Sequence, residues 1–312
     1  MHKRYLVTGC SGFLGSHLAE YLLQKKGKVF GTYHSRKINL KGVTTLACDF
    51  RNRNAVESVL KKSKPDVIFH FAGQSNILRS WKQFDETFQT NVSGTYYLLE
   101  ALRKFRIKSR VIVAGSSSEY GPVKDKRVKL SETSPFRPSN PYALSKVGED
   151  LLGFVYSRTY QMPVLRVIPF YVMGPRKEPD APSDFAKAIF SRPTNEPAEL
   201  RVGNLSAVRD VVDYRDAMQA FFILSERGQV GESYNLCTGK ETSLKEILSQ
   251  MLKLSGSRMK VKIDHSKFRV GDEARVIGNP AKLKKLGWRP KHSVRETLES
   301  ILDYWKVKAG KS

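Results

Sequence analysis

The decisive stretch of the chain is Val7-Thr8-Gly9-Cys10-Ser11-Gly12-Phe13-Leu14-Gly15. The apolar run at 5–7 before it is typical of a buried strand, and leucines at 14, 18 and 22 recur at helical spacing after it. The three glycines permit a tight turn, a close backbone approach to a pyrophosphate, and packing of the helix on the strand. A purely structural turn is the alternative. The flanking strand and helix favour a dinucleotide site with its phosphates at the helix N-terminus.

Bulk composition describes a globular chain. Its 312 residues are 40% hydrophobic, which suits one large domain or two fused ones. No stretch approaches the roughly 18 consecutive apolar residues that span a bilayer, and the start leads directly into the first strand without room for a signal peptide. We therefore expect a cytoplasmic location. The three cysteines are far apart, which favours buried thiols over a zinc site or disulfides.

Charge raises nucleic acid as a partner, because Lys and Arg exceed Asp and Glu by 24. The basic residues are scattered over the whole length, however, and no nucleic-acid-binding motif is recognisable. A positive field also attracts an anionic small molecule. We therefore expect an anionic substrate and neither nucleic acid nor membrane as a partner.

Strands and helices alternate along the first half of the chain. Apolar runs at 28–32, 43–48, 67–71 and 110–114 predict strands, and residues 54–62 and 87–105 predict helices between them. This β-α-β alternation predicts an α/β fold, a Rossmann-type doubly wound parallel sheet covered on both faces. We expect residues 1–167 to form the cofactor-binding domain. Residues 168–312, where the alternation becomes irregular, are expected to form mainly a smaller substrate-binding lobe, with some segments returning to the sheet.

The residues after the second strand choose between the nicotinamide cofactors. An acidic residue there would bind the ribose 2′-hydroxyl of NAD, but the sequence is Tyr33-His34-Ser35-Arg36-Lys37. Arg36 and Lys37 can neutralise a 2′-phosphate, so NADP(H) is favoured over NAD. Asp49-Phe50, after the third strand, is placed to hold the adenine end.

Small residues follow the fourth strand, in Phe71-Ala72-Gly73-Gln74-Ser75. A backbone that passes close to a cofactor requires such residues, so Phe71, Ala72 and Gly73 are cofactor-binding candidates. Asn91 interrupts the apolar run of the next helix, either as a structural hydrogen bonder or as a ligand of the cofactor.

Catalysis is expected at the carboxyl edge of the sheet, where ligand sites of α/β folds lie. The fifth strand leads there to Ser116-Ser117-Ser118-Glu119, and a later helix opens Tyr142-Ala143-Leu144-Ser145-Lys146. Tyr142 and Lys146 are four residues apart and share a helix face. The ammonium group, with the positive nicotinamide, is expected to lower the pKa of the phenol from about 10. The phenol can then exchange a proton with a carbinol oxygen that Ser116 also binds.

These residues together resemble an extended short-chain dehydrogenase/reductase, over nearly the whole chain. The glycine turn, Asp49, Asn91, Ser116, Tyr142 and Lys146 fall where that superfamily places them. Within it the sequence is most similar to GDP-mannose 4,6-dehydratases and GDP-4-keto-6-deoxymannose reductases. The resembling stretches include residues 72–75, 90–92, 137–142 and 200–205, and Arg209-Asp210.

The resemblance implies a substrate site as well as a cofactor site. It makes Gln74, Ser75, Ser117 and Ser118 substrate-binding residues, and it places Val202 and Asn204 beside the nucleotide. Ser117, Ser118 and Glu119 form a possible additional acid/base region. The resemblance also makes Arg209 and Arg269 the candidate clamps on the diphosphate. Ordinary surface ion pairs are the alternative for both arginines. The resemblance implies no metal site, and a homodimer formed through helices near 87–105 and 141–160.

Two departures from the family pattern affect the expected reaction. Dehydratases of the group carry a catalytic glutamate where this chain has Ser118. Glu119 is adjacent, but in an extended chain a shift of one residue turns a side chain to the opposite face. The family usually has an asparagine that touches the sugar nucleotide where this chain has Tyr171, which suggests an altered sugar, a shifted pose or lost activity.

The resulting expectation is an NADP-dependent enzyme that reduces a nucleotide-diphosphate 4-keto-6-deoxy sugar, first of all GDP-4-keto-6-deoxy-D-mannose. A 4,6-dehydratase and a 4-epimerase are the enzymatic alternatives. An NADP-binding sensor or partner protein is the non-enzymatic one, which the intact Ser116, Tyr142 and Lys146 disfavour.

Overall fold

The computed structural model describes residues 2–37, 39–123, 125, 127–191, 199–268 and 274–310. The strands are β1 (Arg4–Thr8), β2 (Lys28–Tyr33), β3 (Val43–Ala47), β4 (Val67–His70), β5 (Arg110–Ala114), β6 (Val164–Pro169), β7 (Tyr171–Met173), β8 (Glu199–Val202), β9 (Val208–Arg209), β10 (Val211–Asp213), β11 (Ser233–Leu236), β12 (Thr242–Ser243), β13 (Lys260–Ile263) and β14 (Arg275–Val276). The helices are α1 (Phe13–Gln24), α2 (Arg53–Ser63), α3 (Ile77–Lys82), α4 (Phe84–Phe88), α5 (Gly94–Lys104), α6 (Pro141–Thr159), α7 (Ala181–Phe190), α8 (Tyr214–Arg227), α9 (Leu244–Ser255), α10 (Ala281–Lys285) and α11 (Val294–Lys308).

A seven-stranded parallel sheet forms the centre, in the order β11-β6-β5-β4-β1-β2-β3. The order reverses direction on either side of β1, so the predicted doubly wound sheet is confirmed. β4 is buried along its whole length and β1 at all but its first residue, as strands covered on both faces must be. β11 lies far along the chain and still joins the sheet beside β6.

Two apolar cores lie on opposite faces of the sheet. One is built around Leu18 and Leu22 of α1 and Phe221 of α8. The other is built from α2 and α5, with Leu60 and Leu99 among its fully buried side chains. The leucine spacing that predicted α1 therefore does mark its buried face.

A third apolar core lies outside the sheet. It joins α7, α9 and α11, with Phe185, Ile247 and Ile301 buried in it. Short strand pairs surround this part of the chain: β8 with β13, β10 with β7, and β9 with β12 and β14. No helix in the described part of the chain is both long and apolar enough to cross a membrane.

The structure differs from the predicted elements at several places. The single helix expected over 87–105 is divided into α4, a π-helical turn (Gln89–Ser93) and α5. Residues 208–213 form two short strands, β9 and β10, because Asp210 between them is buried and accepts hydrogen bonds from a neighbouring loop. Strand β6 and helices α3 and α8 were not predicted.

Candidate active site

The glycine turn leaves no room for side chains where it passes the loop after β4. Gly9 has φ +63°, and a Cβ there would lie 2.9 Å from the backbone nitrogen of Ala72. A Cβ on Gly15 would lie 2.3 Å from the carbonyl oxygen of Gly9. Gly12 caps α1 without a side-chain hydrogen bond, and the first turn of α1 carries no acidic residue. The free N–H groups of this helix end therefore suit a phosphate.

A buried network, which the sequence patterns did not reveal, holds the loop after β4. The Thr8 hydroxyl accepts hydrogen bonds from the backbone N–H groups of Phe71 and Ala72, at 3.0 and 2.9 Å. His70 bonds Thr8 through Nδ1 at 2.9 Å and Thr95 through Nε2 at 3.0 Å. Burial lowers the pKa of His70 to about 3, so its imidazole is neutral at neutral pH. The network fixes the backbone that was predicted to pass the cofactor.

The expected adenine-binding pair divides into a half-buried and a buried member. The Asp49 carboxylate binds Arg51 at 2.8 Å and lies 3.5 Å from Nε2 of His34. Its hydrogen bonds with Arg51 lower the pKa of Asp49. Phe50 is buried, with its ring 5.2 Å from that of His70. The Phe50 side chain is therefore part of the core, and its contact with the cofactor stays a prediction.

The segment expected to choose between NAD and NADP lies at the end of β2. Tyr33 is half-buried, and residues 34–37 are exposed. The exposed guanidinium of Arg36 has no ion-pair partner among the described residues. Arg51, which the sequence analysis did not single out, brings a further cation to the end of β3.

Asn91 lies in the π-helical turn and is fully buried. Its Oδ1 accepts a hydrogen bond from the Gln74 backbone N–H at 2.7 Å. Its Nδ2 donates to the Gln74 carbonyl at 3.0 Å and to Oγ of Ser145 at 2.9 Å. Of the two roles left open for Asn91, these bonds fit the structural one. The Gln74 side chain bonds Asn76 and Thr87, whereas Ser75 is exposed.

The serine-rich loop after β5 forms a 3₁₀ turn over Ser117–Tyr120, so the extended chain assumed for Glu119 is wrong. Ser116 caps this turn, and its hydroxyl accepts from the Ser118 backbone N–H at 3.2 Å. Glu119 completes a capping box by accepting from the Ser116 N–H at 2.6 Å. The Glu119 carboxylate is fully buried, and burial raises its pKa well above the usual range. Ser117 and Ser118, in the same turn, are half-buried and carry hydroxyl groups.

Tyr142 and Lys146 lie in the first two turns of α6, which Asn140 caps by accepting from the Ala143 N–H. Both side chains are buried, and the Lys146 Nζ donates to the Ala114 carbonyl at the end of β5, at 2.9 Å. Ser116 lies near the phenol and acts to lower its pKa. The structure therefore brings Ser116, Tyr142 and Lys146 together.

Electrostatics at Tyr142 differ from the simple expectation. Burial raises the pKa of the phenol, whereas Lys146 and Ser116 lower it. Glu149 and Glu119 raise it again, and the net shift is upward. Lys146 lowers the pKa of Tyr142, as expected, but in the protein without bound cofactor the groups that raise this pKa have the larger effect.

Three residues expected at the sugar and nucleotide lie on β7 (Tyr171), on β8 (Val202) and in the loop after β8 (Asn204). Tyr171 donates from its hydroxyl to Oδ1 of Asp180 at 2.8 Å, and Lys177 Nζ lies 4.1 Å from its ring centre. Val202 is buried in the third core, and its expected contact with the nucleotide stays a prediction. Asn204 accepts two hydrogen bonds from Ser206.

One of the two candidate diphosphate clamps lies on a two-residue strand. Arg209 is half-buried on β9, and its Nη1 donates to the Val208 carbonyl at 3.0 Å. Arg269 lies outside the described residues.

Asp213, Asp216 and His292 lie close enough together to hold a metal ion. Their groups already have protein partners: Asp216 binds His292 Nδ1 at 2.9 Å, and Asp213 accepts from Thr297 at 2.7 Å. These bonds account for the cluster as a link between the start of α8 and the start of α11.

The parallel sheet, the glycine turn and the Ser-Tyr-Lys set define an NAD(P)-dependent enzyme of the short-chain dehydrogenase/reductase class. The chain matches the model of the family described as GDP-mannose 4,6 dehydratase over residues 6–301 and belongs to that family. Its relatives are nucleotide-sugar dehydratases, reductases and epimerases.

Two curated relatives cover almost the whole chain. GDP-6-deoxy-D-mannose reductase from Pseudomonas aeruginosa is 28% identical over 309 residues, 98% of each protein. The low-salt glycan biosynthesis protein Agl12 from Haloferax volcanii is 30% identical over 311 residues, 96% of this chain and 97% of that protein.

Solved structures with either nicotinamide cofactor resemble the fold. UDP-glucose 4-epimerase from Thermus thermophilus in complex with NAD has a TM-score of 0.88 and 28% identity, over 97% of this chain and 99% of that one. The protein RMD from Pseudomonas aeruginosa in complex with NADPH has a TM-score of 0.84 and 25% identity, over 98% and 100% of the two chains.

Proposed function

We propose that this protein is an NADPH-dependent reductase of a nucleotide-diphosphate 4-keto-6-deoxy sugar, with GDP-4-keto-6-deoxy-D-mannose as the first substrate to test. The main observation in support of the proposal is the position of the carboxylate in the turn after β5. Among its described residues the one carboxylate, Glu119, is buried and bound to the Ser116 N–H. The positions beside the reacting sugar carry the hydroxyls of Ser117 and Ser118.

This arrangement disfavours dehydration. Loss of water across C5 and C6 requires a base that removes a carbon-bound proton, and a serine hydroxyl is a poor base for that step. Reduction of a ketone needs only a hydride donor and a proton donor. NADPH supplies the hydride to C4 when bound, with its phosphates held by the N–H groups at the start of α1.

The proton comes from the chain itself. Tyr142 donates its phenolic proton to the C4 oxygen as the carbonyl becomes a hydroxyl, and Ser116 hydrogen-bonds the same oxygen. Lys146 stabilises the phenolate that remains, because its ammonium group lies one helical turn away on the same face. The raised pKa of Tyr142 suits this direction, since a phenol that acts as an acid must start protonated.

Selection of NADPH over NADH rests on the residues after β2. They carry no carboxylate that would bind a ribose 2′-hydroxyl, and Arg36 is exposed there. The complex of RMD with NADPH is consistent with this proposal.

A 4-epimerase is the second candidate, favoured by the likeness to UDP-glucose 4-epimerase with NAD. Epimerisation would use the same Ser116, Tyr142 and Lys146 with tightly held cofactor. A purified protein that carries bound NAD would support this alternative over the reductase.

The molecule is further proposed to act as a homodimer, with residues 1–167 binding the cofactor and 168–312 mainly binding the sugar nucleotide. Leu144, Leu151 and Val155 form an exposed apolar stripe along α6, and a monomer rarely leaves such a stripe uncovered. The cytoplasmic location stays a prediction.

The proposed reaction is tested with two substrates in parallel. The protein is incubated with GDP-mannose alone, and with enzymatically prepared GDP-4-keto-6-deoxy-D-mannose plus NADPH. We expect NADPH absorbance to fall only with the keto sugar, and the product mass to increase by two hydrogens. Loss of water from GDP-mannose without net consumption of cofactor would identify a dehydratase instead.

A further inference from the structure

A buried carboxylate contacts the ammonium group of Lys146. Tyr142, Lys146 and Glu149 follow one another at i, i+4 and i+7, which places all three on one face of α6. The Nζ of Lys146 lies 3.0 Å from Oε1 and 3.1 Å from Oε2 of Glu149. Only 8% of the Lys146 side chain and 1% of the Glu149 side chain are exposed.

The Lys146–Glu149 ion pair lies where an unpaired positive charge on Lys146 would stabilise the phenolate of Tyr142. Burial of a carboxylate costs free energy that a salt bridge recovers only in part. A negative charge next to Lys146 also opposes the effect of that ammonium on the phenol. A neutral side chain at position 149 would avoid both costs.

Other charged groups face the same region and do not replace Glu149. Asp150, on the same helix, pairs with Arg166 of β6 at 2.5 Å. Glu119 approaches from the turn after β5, and burial and the Asp150 charge raise its pKa well above the usual range. His70 of β4 stays neutral. Glu149 is thus the carboxylate in direct contact with Lys146 among the described residues.

We propose that Glu149 is a positioning residue that keeps Tyr142 in its protonated, proton-donating form, by binding the Lys146 ammonium group and opposing its effect on the phenol. The proposal deepens the proposed reductase function and rests on it for its biological meaning. A reductase benefits because the phenol must carry a proton at the start of each turnover, whereas an enzyme that oxidises a carbinol needs the phenolate.

Glu149 carries a negative charge in the pH range where the Tyr142 phenol ionises. Burial raises the pKa of Glu149 to about 7, while Lys146 acts to lower it. At the alkaline pH where a phenol ionises, Glu149 is therefore a carboxylate. Both Glu149 and Glu119 are among the groups that raise the pKa of Tyr142.

The test is a spectroscopic titration of Tyr142 in the protein saturated with NADP⁺. Tyrosinate absorbance near 295 nm is followed against pH, and the same curve for the Tyr142→Phe protein is subtracted to remove the other 12 of the 13 tyrosines. The measurement is repeated in the Glu149→Gln background. We expect the Tyr142 midpoint to be about one pH unit lower in that background than in the wild type, because a like charge near the phenol has been removed.

Three further variants separate charge from structure. Glu149→Met, also neutral, is expected to lower the midpoint as well, and replaces the glutamine variant if that one does not fold. Glu149→Asp retains the charge and is expected to keep the midpoint near the wild-type value. Asp150→Asn, which neutralises the neighbouring buried carboxylate paired with Arg166, is the matched control and is expected to leave the midpoint in place.

An unchanged or higher midpoint in the neutral variants would overturn the proposal and leave Glu149 with a folding role only. The titration uses no sugar, so it is independent of the substrate assignment. A shifted midpoint with no turnover of the keto sugar would refute the substrate and leave the role of Glu149 standing. Turnover of the keto sugar with an unshifted midpoint would support the substrate and refute the role of Glu149.

Discussion

At position 118 the chain carries a hydroxyl, and the neighbouring carboxylate of Glu119 is turned into the protein. The capping box explains why: the Glu119 side chain replaces a missing backbone partner for the Ser116 N–H. The same bond fixes Ser116, which lies near the Tyr142 phenol. Glu119 therefore holds Ser116, the proposed catalytic serine, and in the proposed reaction the sugar meets serine hydroxyls.

Arg36 provides a prediction about the choice of cofactor. The Arg36→Ser variant is expected to raise KM for NADPH about tenfold, because a hydrogen bond between charged groups is worth about 1.5–3 kcal/mol. KM for NADH in the same variant should change little and serves as the internal control. Equal effects on both cofactors would show that Arg36 does not bind the 2′-phosphate.

Among the elements, the glycine turn between β1 and α1 makes the sharpest steric demand. Gly9→Ala is expected to destabilise the fold by about 3 kcal/mol, since it adds a left-handed backbone penalty to a steric overlap. The overlap is with the backbone of Phe71 and Ala72, 2.9 Å from the added Cβ.

Gly256 is the matched control for that substitution. It has φ +66° with nothing within 4 Å of an added Cβ, so Gly256→Ala should lose only about 1–2 kcal/mol from the backbone conformation. Urea unfolding of both variants gives the comparison. Equal losses would contradict a close approach between the turn and the loop after β4.

Elements with a local signature could be predicted from the sequence. β1, α1 and β5 follow from runs of apolar residues and from leucines at helical spacing, and the Tyr142–Lys146 pair follows from the spacing in one helix. The π-helical turn could not be predicted, because nothing local distinguishes it from the helices on either side. Asn91 in that turn bonds Gln74 and Ser145, 17 and 54 positions away.

Contacts between residues far apart in the sequence also could not be predicted at the candidate site. Thr8 and His70 are 62 positions apart and meet only because β1 and β4 are adjacent in the sheet. Glu149 is different, since its i+3 spacing from Lys146 was visible in the sequence. That signal could have predicted the ion pair, although not its burial.

Stability of the whole molecule should depend on pH through His70. An unfolded histidine binds a proton near pH 6.5, whereas burial lowers the pKa of His70 in the fold to about 3. As the pH falls below 6.5 the unfolded chain alone gains this proton, so the free energy of unfolding decreases by about 1.4 kcal/mol per pH unit from this group.

The His70→Gln variant isolates that contribution. Its free energy of unfolding, measured in urea at pH 7, 6 and 5, should fall less steeply than that of the wild type. His17, whose pKa burial lowers to about 4, is present in both proteins and cancels in the difference. Parallel pH dependences would show that His70 does not contribute.

The proposed dimer interface lies on α6. Leu151→Glu on the exposed stripe of α6 is expected to shift the sedimentation of the protein from dimer to monomer, because it would bury a charge in the proposed interface. Val307→Glu, at an exposed apolar residue of α11, is the matched control and should remain dimeric. A wild-type protein that sediments as a monomer would contradict the proposed pairing.

The most direct test of the reductase follows the transferred hydrogen. NADPH carrying deuterium at the transferring position of its nicotinamide is mixed with GDP-4-keto-6-deoxy-D-mannose and enzyme, and the product hexose is analysed by mass spectrometry. We expect one deuterium at C4 for each NADPH oxidised. Tyr142→Phe should bind NADPH normally but transfer the label at least about 100-fold more slowly, since it lacks the proton donor. A product without deuterium, or full activity without the Tyr142 hydroxyl, would contradict the proposed mechanism.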